Sequence, residues 1–309
     1  FSDGKLATGI SDKRIPFVLE TFVKCGATKD VLYEQKAHIG TDILRKVVVN
    51  LRKEIIKLGG EFRFQTKFIK PVISNGKVVS IVVSNGEEYE IPCDSVVLAL
   101  GHSARDTFYE LYNVGVPMTA KVFSIGARIE HSQQLINSAQ YGKSAHLLGS
   151  ADYKLATKTS NGKSLYTFCM CPGGVVVPAT SEHNRVVTNG MSNYARDGKN
   201  ANSALLVNVG PADFGSDHVL GGIEFQRKIE RGAYALTGGY NPPAQTFGAL
   251  IGMATKIGKI TPTCNVTECD FSEIFPEFIV NSLKGGILEK TFLSGIVKSI
   301  ATPIRVNTP

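Results

Sequence analysis

The chain has 309 residues, of which 43% are hydrophobic and 20% are charged. This composition excludes the weakly hydrophobic, highly charged class of disordered proteins, and the length suffices for two folded domains. The net charge of +7 does not favour nucleic-acid binding, because the basic residues are scattered or stand at helical spacing, as on a solvated helix face. No apolar run approaches the roughly twenty residues of a membrane span. With no signal peptide evident, we expect a cytoplasmic protein with reduced cysteines and no membrane partner.

The first predicted elements are a helix and a meander. Residues 41–58 form an amphipathic pattern that Thr41 or Asp42 can cap and that Gly59 and Gly60 end. Its predicted apolar stripe consists of Ile43, Leu44, Val47, Val48, Leu51, Ile55 and Leu58. The segments 67–73, 78–83 and 88–91 follow, separated by Asn-Gly pairs at 75–76 and 85–86, which are strong hairpin signals. They predict a three-stranded antiparallel meander.

Residues 95–100, Ser-Val-Val-Leu-Ala-Leu, are predicted to form a strand covered on both faces, because the run is apolar almost throughout. Gly101 follows directly. Small residues such as Ala99 and Gly101 let backbone approach a bound nucleotide closely, and His102 comes next. A short helix is predicted over 104–113, and we place a domain boundary at Pro117.

Beyond Pro117 the pattern becomes rich in short strands. Strands are predicted over 121–129, 164–171, 174–179, 185–190 and 204–209, helices over 223–236 and 275–287, and a further segment over 290–297. The predicted fold class is therefore α+β. Residues 1–117 form a partial α/β domain with the meander, and residues 118–309 form a β-rich domain with a helical lobe.

Cys169 and Cys171 are the first candidate catalytic residues. Residues two apart on a strand point the same way, so the two thiols predict a redox pair, a disulfide or a soft metal site, and packing of free cysteines in the core is the alternative. Ligand spacing for zinc is absent, so we predict no metal. Pro172, Gly173 and Gly174 follow, a tight turn whose glycines permit close approach to a ligand.

Arg128 and His131 are the other catalytic candidates. Arg128 could bind a carboxylate through two hydrogen bonds, and His131 or His102 could move protons near neutral pH. Arg128 and Glu130 share a strand face, so a surface Arg–Glu pair is an equal alternative.

Several short sequence runs, taken together, match those of a known protein family. They are residues 1–6, 38–42, 101–107, 126–131, 139–142, 168–174, 189–192, 200–204 and 222–227, and the most specific is Phe-Cys-Met-Cys-Pro-Gly-Gly at 168–174. In these runs the sequence resembles a family of uncharacterised FAD-dependent dehydrogenases, also described as NAD(FAD)-utilising dehydrogenases. The resemblance spans nearly the whole chain in order.

The resemblance implies a flavin site. Ser2, Asp3, Gly4 and Lys5 would lie beside the flavin, and Ala99, Gly101, His102, Gly173 and Gly174 would also contact the cofactor. Members of the family carry a Gly-x-Gly-x-x-Gly loop before the position numbered 1 here, and a glycine-rich segment after position 309. We therefore expect a piece of a longer protein, with residues 1–117 a partial FAD/NAD(P)-binding domain that does not hold FAD tightly and is inactive alone.

The function implied for the intact protein is hydride transfer between FAD and an unknown small organic substrate, with NAD(P)H as a possible electron donor. The alternative is an RNA-binding or interaction module without redox catalysis. An aromatic-lined basic groove would favour RNA, and a closed apolar pocket around Cys169 would favour a small substrate. Nothing in the sequence sets the oligomeric state.

Overall fold

The computed structural model describes residues 3–253, 262–288 and 303–307. Its α-helices are α1 (Ile15–Lys24), α2 (Thr41–Lys57), α3 (Arg105–Asn113), α4 (Gln133–Tyr141), α5 (Pro211–Phe214), α6 (Gly221–Thr237), α7 (Phe247–Leu250) and α8 (Glu277–Leu288). Its strands are β1 (Lys67–Ser74), β2 (Lys77–Ser84), β3 (Glu88–Pro92), β4 (Phe123–Ser132), β5 (Ala156–Lys158), β6 (Ser164–Cys171), β7 (Val175–Pro178), β8 (Thr188–Met191), β9 (Asn200–Val209), β10 (Pro243–Thr246), β11 (Thr267–Glu268) and β12 (Pro303–Asn307). The fold class is α+β, as predicted.

The largest sheet has the strand order β11-β10-β12-β4-β9-β6-β5. Strands β4 and β9 lie near its middle and pair antiparallel from Phe123 opposite Val209 to Ser132 opposite Asn200. Both strands are buried almost throughout. Because side chains alternate between the faces of a strand, this sheet separates two buried environments.

The two faces of the sheet differ in chemistry. The helical face carries Ile125, Ala127 and Ile129 of β4, which belong to the main core together with residues of α6 and α8. The opposite face, which we call the site face, carries Arg128 and Glu130, both buried. The two-stranded sheet of β7 and β8 contacts β4, β6, β9 and β12. The site face is therefore polar and enclosed.

The first part of the chain builds a smaller core of its own from Cys25, Ala27, Val31, Ala37, Ile39 and Val47. Strands β1, β2 and β3 pair antiparallel in order, which confirms the predicted meander. Asn75 and Gly76 both have positive φ angles, 50° and 74°, as a type I′ hairpin turn requires. The domain boundary at Pro117 stays a prediction.

Helix α2 confirms the predicted helix, but two details of the prediction are wrong. The N-cap position is held by Gly40 and not by Thr41 or Asp42; Asp42 accepts a hydrogen bond from the Tyr194 amide at 2.9 Å. Of the predicted apolar stripe only Val47 is fully buried, and Leu58 is 77% exposed. Periodicity marked the apolar side of the helix, but not how much of that side is covered.

The predicted strand over 95–100 is also wrong. This segment has no regular secondary structure, and Val97 is 91% exposed. A strand exists only where its N–H and C=O groups pair with a neighbour, and none of the strands that the structure describes pairs with this segment. The apolar composition therefore suits a strand, but no strand among the described residues forms hydrogen bonds with this segment.

The other predictions for the second part agree with the structure within a few residues. The predicted strands correspond to β4, β6, β7, β8 and β9, and the two predicted helices to α6 and α8. The predicted segment over 290–297 lies outside the described residues. Helices α1, α4, α5 and α7 and strands β5, β10, β11 and β12 were not predicted. Within the described ranges, no helix is long and apolar enough to cross a membrane.

A buried ion-pair network joins α3 to α6. The Arg105 guanidinium, 3% exposed, donates to both carboxylate oxygens of Glu230, at 2.6 and 2.7 Å, and to Glu182 at 2.6 Å. Glu230 is 1% exposed, and Gln226 on the same helix accepts a further hydrogen bond at 3.0 Å. Arg105 and Glu230 are both enclosed and are joined by two hydrogen bonds, so the network fixes the position of α3 against the second part of the chain.

We predict that Arg105→Ala lowers the free energy of unfolding by about 3–5 kcal/mol, because it leaves the Glu230 carboxylate buried without its cation. The matched control is Arg14→Ala, which breaks the exposed pair with Asp12 and should leave the free energy of unfolding almost unchanged, because exposed ion pairs contribute little. Urea denaturation of both variants measures the difference. Equal midpoints would show that the buried network contributes no more than a surface pair.

Candidate functional site

The candidate site begins with a bulge in β6. Phe168 pairs with Ala204 and Cys171 pairs with Asn202, so three steps along β6 match two along β9. The extra residue lies in a segment where Cys169 has a positive φ of 49°. A bulge of this kind shifts every following side chain to the other face. Cys171 therefore lies in register with Asn202 on the site face, while Met170 joins the main core.

The segment from Asp3 to Leu6 lies beside this bulge. Lys5 forms an antiparallel bridge with His38, and the Ile39 and Gly40 amides donate to the carbonyls of Gly4 and Asp3 at 3.0 and 2.8 Å. Gly4 has a φ of 70°, and an added Cβ would lie 3.0 Å from that of Ile39. This pairing brings the Lys5 side chain, 164 residues away in sequence, to Cys169.

Lys5 connects two thiols and a carboxylate. Its ammonium nitrogen lies 3.4 Å from Sγ of Cys169, 3.3 Å from Sγ of Cys171 and 2.5 Å from Oδ2 of Asp3. Cys171 Sγ also lies 3.9 Å from the same oxygen of Asp3, to which Ser192 donates at 3.2 Å. The structure thus brings together four of the sequence-predicted residues, Asp3, Lys5, Cys169 and Cys171, and adds Ser192.

The cluster shifts the pKa values of the two thiols in opposite directions. A hydrogen bond from Cys171 lowers the pKa of Cys169 to about 5, and the positive charges of Lys5 and Arg128 act in the same direction. The same hydrogen bond and burial raise the pKa of Cys171 well above its ordinary value. Burial alone would lower the pKa of Lys5, but the neighbouring Cys171, Asp3 and Cys169 raise it. At neutral pH the site therefore holds a thiolate, a thiol and an ammonium.

Arg128 lies under the bulge. Its Nη1 donates to Oδ1 of Asn202 at 2.7 Å and to the Cys169 carbonyl at 3.3 Å, and the residue is 1% exposed. Gly190 of β8 makes room for it, since a Cβ there would lie 2.3 Å from Nη1. The predicted alternative of a surface pair with Glu130 is wrong. Glu130 is completely buried and accepts hydrogen bonds from Asn200 and Thr263.

A cavity of about 490 Å³ opens over the cluster. Lys5, Cys169, Phe168 and Tyr153 are among its lining residues, with Lys36, Asp152, Lys154 and Arg196 contributing charge. Its volume is within the range of small-molecule sites. Cys169 is partly exposed to the cavity, whereas Cys171 is completely buried behind it.

His131 lies on the other face of the sheet from Arg128. It is completely buried, and its Nε2 lies 2.8 Å from the hydroxyl of Tyr153, which lines the cavity. Burial lowers the pKa of His131 to about 4 and raises that of Tyr153. His131 is thus neutral at physiological pH, and its hydrogen bond to Tyr153 connects it to the cavity.

Gly173 and Gly174 are packed against protein backbone. A Cβ on Gly173 would lie 1.9 Å from the Arg196 carbonyl oxygen, and one on Gly174 would lie 2.5 Å from that of Met191. The Gly173 amide donates to Gln133 at 2.7 Å. The close approach that the glycines permit is made by the loop at 196–198, which itself borders the cavity through Arg196.

The remaining predicted residues are not brought to the cluster. Ala99, Gly101 and His102 are exposed on the segment after β3 and do not line the cavity. Ser2 lies outside the described residues. Across the described ranges, no group of three or more His, Cys, Asp or Glu residues is arranged to hold a metal ion.

Sequence reasoning missed Tyr153, Ser192 and the Lys36–Asp152 pair of 2.8 Å at the cavity, whereas Arg196 was predicted as a possible polar contact. Each missed residue is of a common type without a local motif, so no sequence signal distinguished it. Asp3 and Lys5 were predicted as cofactor contacts, but their contact with the two thiols was not predicted.

Comparison with known proteins identifies the family. Residues 122–298, more than half of the chain, match the family model described as "FAD-dependent protein, C-terminal domain-like". An uncharacterised protein of Clostridium beijerinckii is 46% identical over 326 aligned positions, which cover 99% of this chain. The chain belongs to the FAD-dependent protein family. It spans 61% of the length of that relative.

We predict that alkylation of Cys169 by iodoacetamide follows a titration with its midpoint at about pH 5, whereas an ordinary cysteine has its midpoint near pH 8.5, at about its pKa. The rate should be constant from neutral pH upward and fall as pH drops through the midpoint, because the thiolate is the nucleophile. Peptide mapping by mass spectrometry resolves Cys169 from the other cysteines. Lys5→Met removes the cation and should move the midpoint upward. An unchanged midpoint would contradict the assigned role of Lys5.

We predict that Gly173→Ala destabilises the protein by more than Gly162→Ala. Both glycines have positive φ angles, 53° and 79°, but a Cβ at Gly162 meets nothing within 4 Å. The control therefore carries only the left-handed strain of about 1–2 kcal/mol, while Gly173→Ala adds the collision with the Arg196 carbonyl. Urea denaturation measures both. A smaller decrease in the free energy of unfolding for Gly173→Ala than for Gly162→Ala would show that the loop at 196–198 moves to accept the Cβ without loss of stability.

Proposed function

We propose that this protein acts in a flavin-dependent oxidoreductase, which transfers a hydride between FAD and a small organic substrate at the cavity over Cys169. The observation that carries the proposal is the thiolate–ammonium cluster of Cys169 and Lys5 at a ligand-sized cavity, in a chain of an FAD-dependent family. Strongly perturbed acidities beside a cavity are typical of catalytic sites. Because the chain spans 61% of its relative, the activity is proposed for the whole protein.

The described residues fit the flavin ring of FAD but not its diphosphate. The cavity has the size and the cation for a flavin ring, whereas the Gly-x-Gly-x-x-Gly loop that holds a diphosphate occurs nowhere in the sequence. When bound, the flavin supplies two-electron redox chemistry. In this proposal Lys5 and Arg196 hold the ring end, and the ammonium of Lys5 favours its electron-rich reduced form. Tyr153 and Phe168 exclude water from the cavity.

The charges of the cavity favour a small substrate over RNA. Two of its four cations are already paired, Lys5 with Asp3 and Lys36 with Asp152. A site for a nucleic-acid backbone needs cations free to neutralise phosphates. We propose a small-molecule substrate, with NAD(P)H as the electron donor.

The test is the visible spectrum of the full-length product of the encoding gene, purified beside residues 1–309 alone, each with and without added FAD. We expect flavin bands near 370 and 450 nm, approximate positions common to oxidised flavoproteins, in the full-length product, and bleaching of the second band by NADH or NADPH without oxygen. Lys5→Met in the full-length product should bind FAD but be reduced more slowly. The control, Lys24→Met, changes the C-terminal residue of α1, which is not among the cavity-lining residues. Absence of flavin from every preparation would refute the proposal.

A further inference from the structure

We propose that Cys169 and Cys171 form a dithiol–disulfide couple, and that the substrate class of this site is a disulfide. The exchange is carried out by residues of this chain. Only its supply of electrons rests on the proposed flavin function.

The first argument is the way in which the bulge brings the two sulfurs to one place. Both lie within 3.4 Å of the same atom, Nζ of Lys5, and Sγ of Cys171 lies 3.3 Å from the carbonyl oxygen of Cys169. A regular strand holds residues two apart too far apart for most disulfides. The register shift between Phe168 and Cys171 interrupts that regular strand geometry at the pair. The bulge thus lets both sulfurs contact one ammonium group, an arrangement that simple packing of two cysteines in a core does not require.

The second argument is the difference in access. Cys169 lines the cavity, while Cys171 is completely buried behind it. An attacking thiolate must be reached by an incoming disulfide, whereas a resolving thiol needs to reach only its neighbour. The exposed position therefore belongs to the nucleophile and the buried position to the resolving thiol.

The third argument is the charge around the pair. Lys5 is a cation 3.4 Å from Cys169, which stabilises a thiolate. Asp3, 3% exposed, lies 3.9 Å from Cys171 and can accept its proton. Thiols that only fill a core are surrounded by apolar atoms. A soft metal ion would be repelled by the ammonium between the two sulfurs.

The exchange balances in two steps. The Cys169 thiolate attacks one sulfur of the substrate R–S–S–R′, forming a mixed disulfide with R–S and releasing R′–S⁻. Cys171 then loses its proton through Asp3 and attacks Sγ of Cys169, forming the Cys169–Cys171 disulfide and releasing R–S⁻, which takes up that proton. The substrate gains two electrons and the protein loses two. Return to the dithiol needs a two-electron reductant, either reduced flavin in the full-length protein or an added dithiol.

The test uses the reduced full-length protein at neutral pH with 5,5′-dithiobis(2-nitrobenzoate) as the disulfide, and mass spectrometry of the peptide that contains both cysteines. We expect the wild type to release two aryl thiolates for this peptide and to end as an intramolecular disulfide without adduct. Cys171→Ser should release one and retain one adduct on Cys169, and Cys169→Ser should lose most of the fast reaction. Cys93→Ser, outside the cavity, should behave as the wild type.

Three outcomes would overturn the inference: a stable adduct on the wild-type peptide, equal reactivity of Cys169→Ser and wild type, or no reaction at this peptide. The electron supply is tested separately, by adding NADPH to the oxidised full-length protein under argon and counting free thiols. If the disulfide forms but flavin is absent or does not reduce it, the dithiol couple stands and the proposed flavin function fails. If flavin is bound and reduced but no disulfide ever forms, the reverse holds.

Discussion

Charged side chains that are enclosed between two sheets must find partners, and this requirement arranges the site face of the protein. Arg128 and Glu130 are both buried there, and an uncompensated charge in such a place would cost several kcal/mol. Arg128 is met by Asn202 and the Cys169 carbonyl, and Glu130 by Asn200 and Thr263. Partners for these two buried side chains are provided by Asn200 and Asn202 of β9 and by the bulge of β6. Gly190 of β8 leaves the space that Arg128 occupies.

The same requirement explains why residues from the start of the chain complete the site. Lys5 and Asp3 enter a region that already holds two thiols and a guanidinium, and they enter as an ion pair. The hydrogen bond from Cys171 and the positive charge of Lys5 together lower the pKa of Cys169, which favours its thiolate form. Thus one local charge balance links the backbone pairing of residues 3–6 to the chemistry proposed for the cavity.

Much of the architecture could be predicted from local patterns. The strands β6 and β9, the Asn-Gly turn after β1 and the helices α2 and α6 were each predicted from neighbouring residues, and all are confirmed. The exposed segment at 95–100 shows the limit of this reasoning. Its composition suits a covered strand, but a strand also depends on partners that its own residues do not encode.

The site was predictable in its residue types and not in its assembly. Cys169 and Cys171 were recognisable from their spacing, but the bulge that re-aims them depends on the register between β6 and β9. The contact between Lys5 and Cys169 joins positions that are 164 residues apart in the sequence. A local sequence pattern does not predict such a contact. The burial of Arg128 and His131 on opposite faces follows from the sheet being covered twice, which a single strand sequence does not reveal.

Gly190 has a consequence for how this sequence can change over time. Its missing side chain is the space that the Arg128 guanidinium and the Asn202 amide occupy, at 2.3 and 2.1 Å from where a Cβ would stand. A larger residue at 190 is therefore compatible with the fold only when 128 or 202 becomes smaller in the same lineage. Positions on three different strands should accordingly vary together, as a single inherited unit.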